Sequence, residues 1–151
     1  LYVLVRKVKP KKIIECGTWI GTSTNHIALA CEKNGFGDIV TVDMDVAVGK
    51  AIKPEFRHRI KILEETDATV WEPDFKADFI FEDTFHDYRV TQAVWANLKR
   101  FMNPGAYAIS HDWNVCPEVL SAFIDVWGEP EIKWVGPTPH YGLVITRSAE
   151  H

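Results

Sequence analysis

Cysteine is scarce: the three in this 151-residue chain, Cys16, Cys31 and Cys116, are too scattered to form a CxxC metal site. Their odd number and apolar neighbours point to reduced, buried thiols and a cytoplasmic protein. Basic charge is also in short supply. Seventeen Lys and Arg stand against 21 Asp and Glu, a net charge of -4, which offers no cationic footprint for nucleic acid. No apolar run reaches membrane-spanning length and no secretory signal pattern is present, so no membrane partner is expected. Internal repeats, low-complexity tracts and Ser/Gly linkers are missing too. That leaves no place for a boundary, and residues 1–151 read as a single domain. With 46% hydrophobic residues, a chain of this size can bury enough surface to fold without disulfide or metal. The first residue is Leu, so the natural chain is expected to begin earlier.

What is present is an alternation of strand-like and helix-like segments. Lys11 to Cys16 reads as a strand and Thr22 to Asn34 as a helix stopped by Gly35. Asp38 to Asp43 is a second strand, followed by a helix near Val46 to Arg57 that should stop before Pro54. Ile60 to Leu63 is a third strand, and Ala77 to Glu82 a fourth with little polar alternation, as a strand covered on both faces should look. Tyr88 to Met102 carries apolar residues at three- and four-residue steps and ends at Asn103-Pro104-Gly105. Ala106 to Ser110, Glu131 to Val135 and Tyr141 to Thr146 complete the strands, with a helix over Glu118 to Trp127. The last two strands have no helix between them, so they pair antiparallel or stand apart in the sheet. The pattern predicts a doubly wound α/β fold: a mostly parallel seven-stranded sheet with an antiparallel last strand. Ligands of such folds bind outside the carboxyl ends of the strands.

Those ends are acidic. Glu15, Asp43, Asp67, Glu82-Asp83 and Asp112 sit at or just past five of them. A pyrophosphate site needs backbone N–H groups and often a Lys or Arg. The stretch "ECGTWIGTST" (Glu15 to Thr24) also fails both phosphate-binding glycine patterns. Its glycines are one residue too close for a P-loop, with Thr22 where the lysine should stand. Ile20 interrupts the GxGxxG dinucleotide pattern, and Glu15 would face the pyrophosphate. S-adenosylmethionine carries an ammonium, a sulfonium and a ribose diol but no phosphate. Asp43 could accept both ribose hydroxyls, Asp67 the adenine amino group, and Gly17 and Gly21 would let the backbone approach closely.

The chain resembles the class I S-adenosylmethionine-dependent methyltransferases over nearly its whole length. The closer likeness is to the subgroup with a first motif like EIGTxxGxST, here "ECGTWIGTST". "TVDMD" (Thr41 to Asp45), "ADFIFEDTFHDY" (Ala77 to Tyr88) and "NPGAYAISHD" (Asn103 to Asp112) follow in order at fold-consistent spacings. The resemblance implies cofactor contacts from Glu15, Gly17, Thr18, Gly21, Ser23, Asp43, Met44, Asp67, Ala68 and Asp83. It also implies methyl transfer to a small-molecule acceptor, most simply at a hydroxyl oxygen. His86, in the segment where related sugar O-methyltransferases carry a histidine, is the candidate base, with His111 facing the acceptor. A histidine that merely caps the next helix or packs on Tyr88 is the plain alternative.

Asp83, His111 and Asp112 could together hold a divalent metal. A nitrogen ligand among them weakens the case for magnesium and leaves manganese or zinc open. Thr84-Phe85 replaces the Gly-Asp usual in the subgroup. Trp19 either covers the cofactor or packs on a neighbouring loop. His140-Tyr141-Gly142 lines the pocket or forms a plain hairpin turn. His26 and His58 read as helix-surface residues, and Trp71, Trp95, Trp127 and Trp134 as core or groove packing. An inactive methyltransferase-like binding module and, more distantly, an NAD-dependent oxidoreductase stay open beside the leading reading. So does a homodimer paired through an exposed final strand.

Overall fold

A computed structural model describes residues 1–137 and 141–149. The elements run α1 (Tyr2–Val8), β1 (Lys12–Cys16), α2 (Thr22–Asn34), β2 (Asp38–Val42), β3 (Ile60–Leu63), β4 (Ala77–Glu82), α3 (Tyr88–Leu98), β5 (Met102–His111), α4 (Pro117–Trp127), β6 (Ile132–Val135) and β7 (Gly142–Arg147). The seven strands form one sheet in the order β3-β2-β1-β4-β5-β7-β6. Strands β1 to β5 are parallel, whereas β7 is antiparallel to both β5 and β6. From β1 the chain winds outward through β2 and β3, then returns to place β4 on the other side of β1. The strand order therefore reverses between β1 and β4, where a doubly wound sheet opens its crevice.

Successive residues of the central strands feed two cores, because side chains alternate across a sheet. On one face Ile14, Ile80 and Ala108 pack with Val94, Trp95 and Leu98 of α3 and Phe123 of α4. On the other, Ile13, Phe79, Phe81 and Ile109 pack with Val5 of α1 and Ile27, Ala28 and Cys31 of α2. Cys16 and Cys31 are buried and Cys116 partly so; all three are free thiols. Of the four tryptophans expected to pack in core or groove, Trp95 is fully buried, Trp71 and Trp127 pack partly buried against the first core, and Trp134, 46% exposed on the edge strand, lines the groove over the strand ends. Trp95 stands edge-on to Phe123 and Trp127, with centroids 5.6 and 5.7 Å away. Among the described residues, no helix is long and apolar enough to cross a membrane.

Four expectations change. The helix near Val46 to Arg57 is absent; only a 3-10 helix, Pro54–Arg59, forms there. Ala47 and Gly49 have positive φ, and the segment hydrogen-bonds elsewhere: Gly49 N–H donates to Trp19 O (2.7 Å) and Ala51 N–H to Ile20 O (2.8 Å). The backbone that would have made helical bonds clasps the glycine loop instead. Helix α1 packs against α2 over a stretch to which the sequence assigned no element. Strand β5 starts four residues early, because Asn103-Pro104-Gly105 forms an irregularity inside the strand; the helix before it closes with the 3-10 turn Lys99–Phe101. Finally, β7 lies between β5 and β6, so the free edge belongs to β6, and the final strand is not available to pair between subunits.

Trp95 joins the larger core to the strand ends, since its Nε1–H donates to Ser110 Oγ at 2.7 Å. Trp95→Ala is expected to cost about 3–5 kcal/mol in urea denaturation through cavity formation. Trp95→Phe, which keeps most of the volume, is expected to cost clearly less.

Candidate active site

The crevice at the strand-order reversal is a cavity of about 1510 Å³. Its floor is the glycine loop after β1, the turn after β2 and the loop after β4. Gly17 has φ +93°, and a Cβ there would stand 2.1 Å from the Asp83 carbonyl oxygen. Only glycine lets these two strand ends touch. Gly21, with φ +92°, opens α2 and sits against Ile52, whose Cγ1 would be 2.4 Å from an added Cβ. The loop between them is tied to β2: Asp43 Oδ2 accepts from the backbone N–H of both Thr18 and Trp19 at 2.9 Å. Asp43 Oδ1 accepts from Asp45 N–H at 3.0 Å. A carboxylate has about four acceptor sites, so Asp43 keeps capacity for a ligand hydroxyl after anchoring the loop. Further along the rim, Asp67 Oδ1 accepts from the Thr69 N–H and hydroxyl. Asn97 of α3 donates to the Ala68 and Trp71 carbonyls, which fixes that turn.

Glu15 lies beneath this floor rather than on it. It is fully buried, with Thr24 Oγ1 donating to Oε2 at 2.5 Å and Oε1 left without a hydrogen-bond partner. Burial pushes its pKa up to about 7, against the opposing effect of the Ser23, Thr24 and Thr41 hydroxyls.

Beyond β4 and β5 is a second cluster. Asp83 Oδ1 is 3.3 Å from His86 Nε2 and 3.2 Å from His111 Nδ1, and Asp112 Oδ1 is 3.2 Å from the same Nδ1. Neither approach to His111 Nδ1 has hydrogen-bond geometry, so this nitrogen and Asp112 Oδ1 are both buried without a partner. Asp83, His86 and His111 have ligand atoms converging closely enough to hold a metal ion. Burial works against charge on Asp83, yet the two imidazoles beside it hold its carboxyl below the usual range. The hydrogen bond to Asp83 raises the pKa of His86. Burial opposes a charged His111, while Asp83 and Asp112 raise its pKa above the ordinary value.

Residues 14–113 match a family model described as "Methyltransferase domain". The chain belongs to this methyltransferase family. Its fold is that of the class I enzymes, shared with solved structures at low identity. The O-methyltransferase TomG from Streptomyces achromogenes, in complex with SAM, is 17% identical, with a TM-score of 0.74 over 98% of this chain and 77% of that one. An O-methyltransferase from Bacillus cereus, in complex with SAH, is 18% identical, with a TM-score of 0.72 over 97% and 78%. The N-methyltransferase NodS from Bradyrhizobium japonicum is 14% identical, with a TM-score of 0.70 over 99% and 94%. None of the curated proteins compared with the chain matches it.

Within this methyltransferase fold, Gly17, Thr18, Ser23, Asp43, Met44, Asp67, Ala68 and Asp83 line one continuous cavity together with His86, His111 and Asp112. Glu15 and Gly21 do not reach it. Trp19 is exposed and lines the cavity, and so does His26, from the surface of α2. His58 is a surface residue paired with Glu32. Tyr141 lines the cavity, whereas His140 lies outside the described residues. Asp87, not His86, caps α3, accepting from Arg89 and Val90 N–H.

Sequence reasoning passed over two features and gave a third, Glu82, no role. Leu1, Tyr2 and Val3 bring α1 to the cavity. Arg89 reaches it from the first turn of α3. Glu82, buried behind Asp83, links both strand ends: Oε1 accepts from the Thr84 hydroxyl (2.6 Å) and Oε2 from Ser110 Oγ (2.8 Å). The signal for Glu82 was a carboxylate closing an otherwise apolar buried strand.

Because burial raises the Glu15 pKa, the folded state holds this proton more tightly than the unfolded one. The ionisation penalty is therefore absent below about pH 4.5 and grows as pH rises towards 7. Relative to Glu15→Gln, the wild type is expected to lose about 2–3 kcal/mol between pH 5 and pH 8, read from paired urea titrations. Gly17→Ala is expected to destabilise by at least about 2 kcal/mol, since both its φ and its contact with Asp83 exclude a side chain.

Proposed function

We propose that this protein transfers a methyl group from S-adenosylmethionine to a hydroxyl oxygen of a small-molecule acceptor. The observation that carries the reading is the charge pattern of the cavity. Carboxylates line its cofactor side, and among the described residues of the glycine loop and the turn after β2 no lysine or arginine lines it. That donor set suits an ammonium group and a ribose diol and repels a pyrophosphate. Asp43 and Asp67 are placed for the ribose and adenine, and Thr18, Ser23, Met44 and Ala68 for the remaining wall. Gly17 forms part of the wall itself, and Gly21 shapes the loop from behind. Glu15 acts on the cofactor's amino-acid end through the first turn of α2. S-adenosylmethionine, when bound, supplies an electrophilic methyl group on a sulfonium.

The remaining work falls to the protein's own groups. They hold the acceptor oxygen in line with the methyl carbon and take up the hydroxyl proton. His86 is the base, turned towards the site by Asp83, and His111 stands on the acceptor side. This pairing favours oxygen over nitrogen: a neutral amine attacks without first losing a proton, whereas a hydroxyl needs a partner to receive one. A divalent metal fits the same place. The partnerless buried atoms His111 Nδ1 and Asp112 Oδ1, next to Asp83 Oδ1, form a mixed nitrogen and oxygen donor set. Such a set suits manganese or zinc better than magnesium, and the metal would orient and acidify the acceptor hydroxyl.

Calorimetric titration with S-adenosylmethionine and S-adenosylhomocysteine tests the cofactor. Saturable binding of both is expected, with a change in Trp19 fluorescence; a folded sample giving neither heat nor thermal stabilisation would rule out the reading. With an acceptor in hand, His86→Ala is expected to lower turnover about 10²- to 10⁴-fold at unchanged cofactor affinity. Activity surviving chelation and dialysis in full would remove the metal from the scheme.

A further inference from the structure

Arg89 supplies the only lysine or arginine side chain among the described residues that line the cavity; five aspartates, Asp43, Asp45, Asp67, Asp83 and Asp112, line it too. Four of those aspartates have partners close by. Asp43 holds backbone N–H groups, Asp67 holds Thr69, and Asp83 and Asp112 lie beside His86 and His111. Arg89 is not among these partners. Within the described residues its guanidinium makes no ion pair and no hydrogen bond. Its neighbours differ: Tyr88 bonds Asp125 of α4, and Asp87 caps the helix.

Stability does not account for a cation at this position. Arg89 is the second residue of α3, where the partial positive charge of the helix N-terminus disfavours it. It stands four residues before Ala93, which also lines the cavity, so the two share the face of α3 turned towards the crevice. It follows His86 by three residues on the segment that leaves β4, whereas Asp43 stands on the turn after β2. Much of the cavity lining is apolar, Phe85, Val90, Ala93 and Tyr141 included.

We propose that Arg89 is a specificity residue that pairs with a carboxylate on the acceptor while the acceptor hydroxyl is presented to His86. The inference rests on the methyltransferase reading above and narrows its substrate class to hydroxylated, apolar-bodied acids. A guanidinium fork matches a carboxylate with two parallel hydrogen bonds. A single negative charge is also what this cavity tolerates, because a phosphate dianion would meet twice the repulsion from the same aspartates.

The test uses protein saturated with S-adenosylhomocysteine and matched probes, each acid against its primary amide: 3,4-dihydroxybenzoate and 4-hydroxycinnamate. Affinities come from calorimetry. At least one aromatic acid is expected to bind about 10-fold or more tightly than its amide. That preference is expected to vanish in Arg89→Gln and to survive in part in Arg89→Lys, which keeps the charge without the fork. Affinity for S-adenosylhomocysteine is expected to be the same in all three proteins. Acids and amides that bind alike, acids that do not bind at all, or a preference that persists in Arg89→Gln would each overturn the assignment. A wild type that fails to bind S-adenosylhomocysteine would instead bring down the parent reading.

Discussion

The contact between Gly17 and the Asp83 carbonyl is the constraint from which the site follows. At the middle of the sheet, β1 and β4 run on by one hydrogen bond each past their last paired residues. Asp83 N–H donates to Cys16 O and Gly17 N–H to Val42 O, both at 2.9 Å. Three strand ends are thereby locked side by side at the point where strand order reverses. A side chain at position 17 would push them apart. Because they cannot separate, the glycine loop must turn away over β2, where Asp43 catches two of its N–H groups, and the loop after β4 must leave towards β5, where Asp83 meets His111. The two halves of the cavity are thus set by one backbone approach.

Strands β1, β2 and β4 were legible in the sequence for the reason they form: each is a short apolar run closed by a polar group, and each is buried on both faces. Helix α2 was legible through its apolar spacing and Gly35, which has the positive φ expected of a helix stop. The segment over 46–53 misled because its apolar residues suit a helix that Pro54 would stop, whereas its backbone bonds go to Trp19 and Ile20. Local propensity carries no information about a distant loop in need of donors. The same limit hid α1, whose seven residues bury only Val5 fully and depend on α2 for their packing. The order of the last two strands was open for a different reason. A loop without a helix requires antiparallel pairing but does not say which strand takes the inner place.

The site was legible at one level and hidden at the next. That carboxylates gather at the strand ends follows from a parallel sheet, since every such end points the same way. What each carboxylate is free to do does not follow. Asp43 spends part of its capacity on the loop, Glu15 is sealed below it, and Glu82 braces Thr84 against Ser110. For Asp43 with the loop and Glu82 with Ser110, the assignment depends on which groups fall opposite one another more than twenty residues apart in the chain. Arg89 escaped notice because a single arginine at the start of an amphipathic helix reads as a surface charge until the cavity beside it is known.

Two buried carboxylates on adjacent strands, Glu15 and Glu82, make little sense as stabilising elements. Each is taken out of water without a cationic partner, and burial raises both pKa values. Their hydroxyl donors stand on or beside the loops that bear the site: Thr24 in the first turn of α2 after the glycine loop, Thr84 after β4, and Ser110 at the end of β5 before His111. Apolar side chains of equal size would fill the space more favourably but would leave these loops unanchored at their roots. The cost of burial therefore goes into fixing where the glycine loop and the Asp83–His86–His111 cluster stand relative to each other. In-line transfer between two bound molecules is sensitive to that separation. A methyltransferase can tolerate a less stable floor more readily than a mobile one.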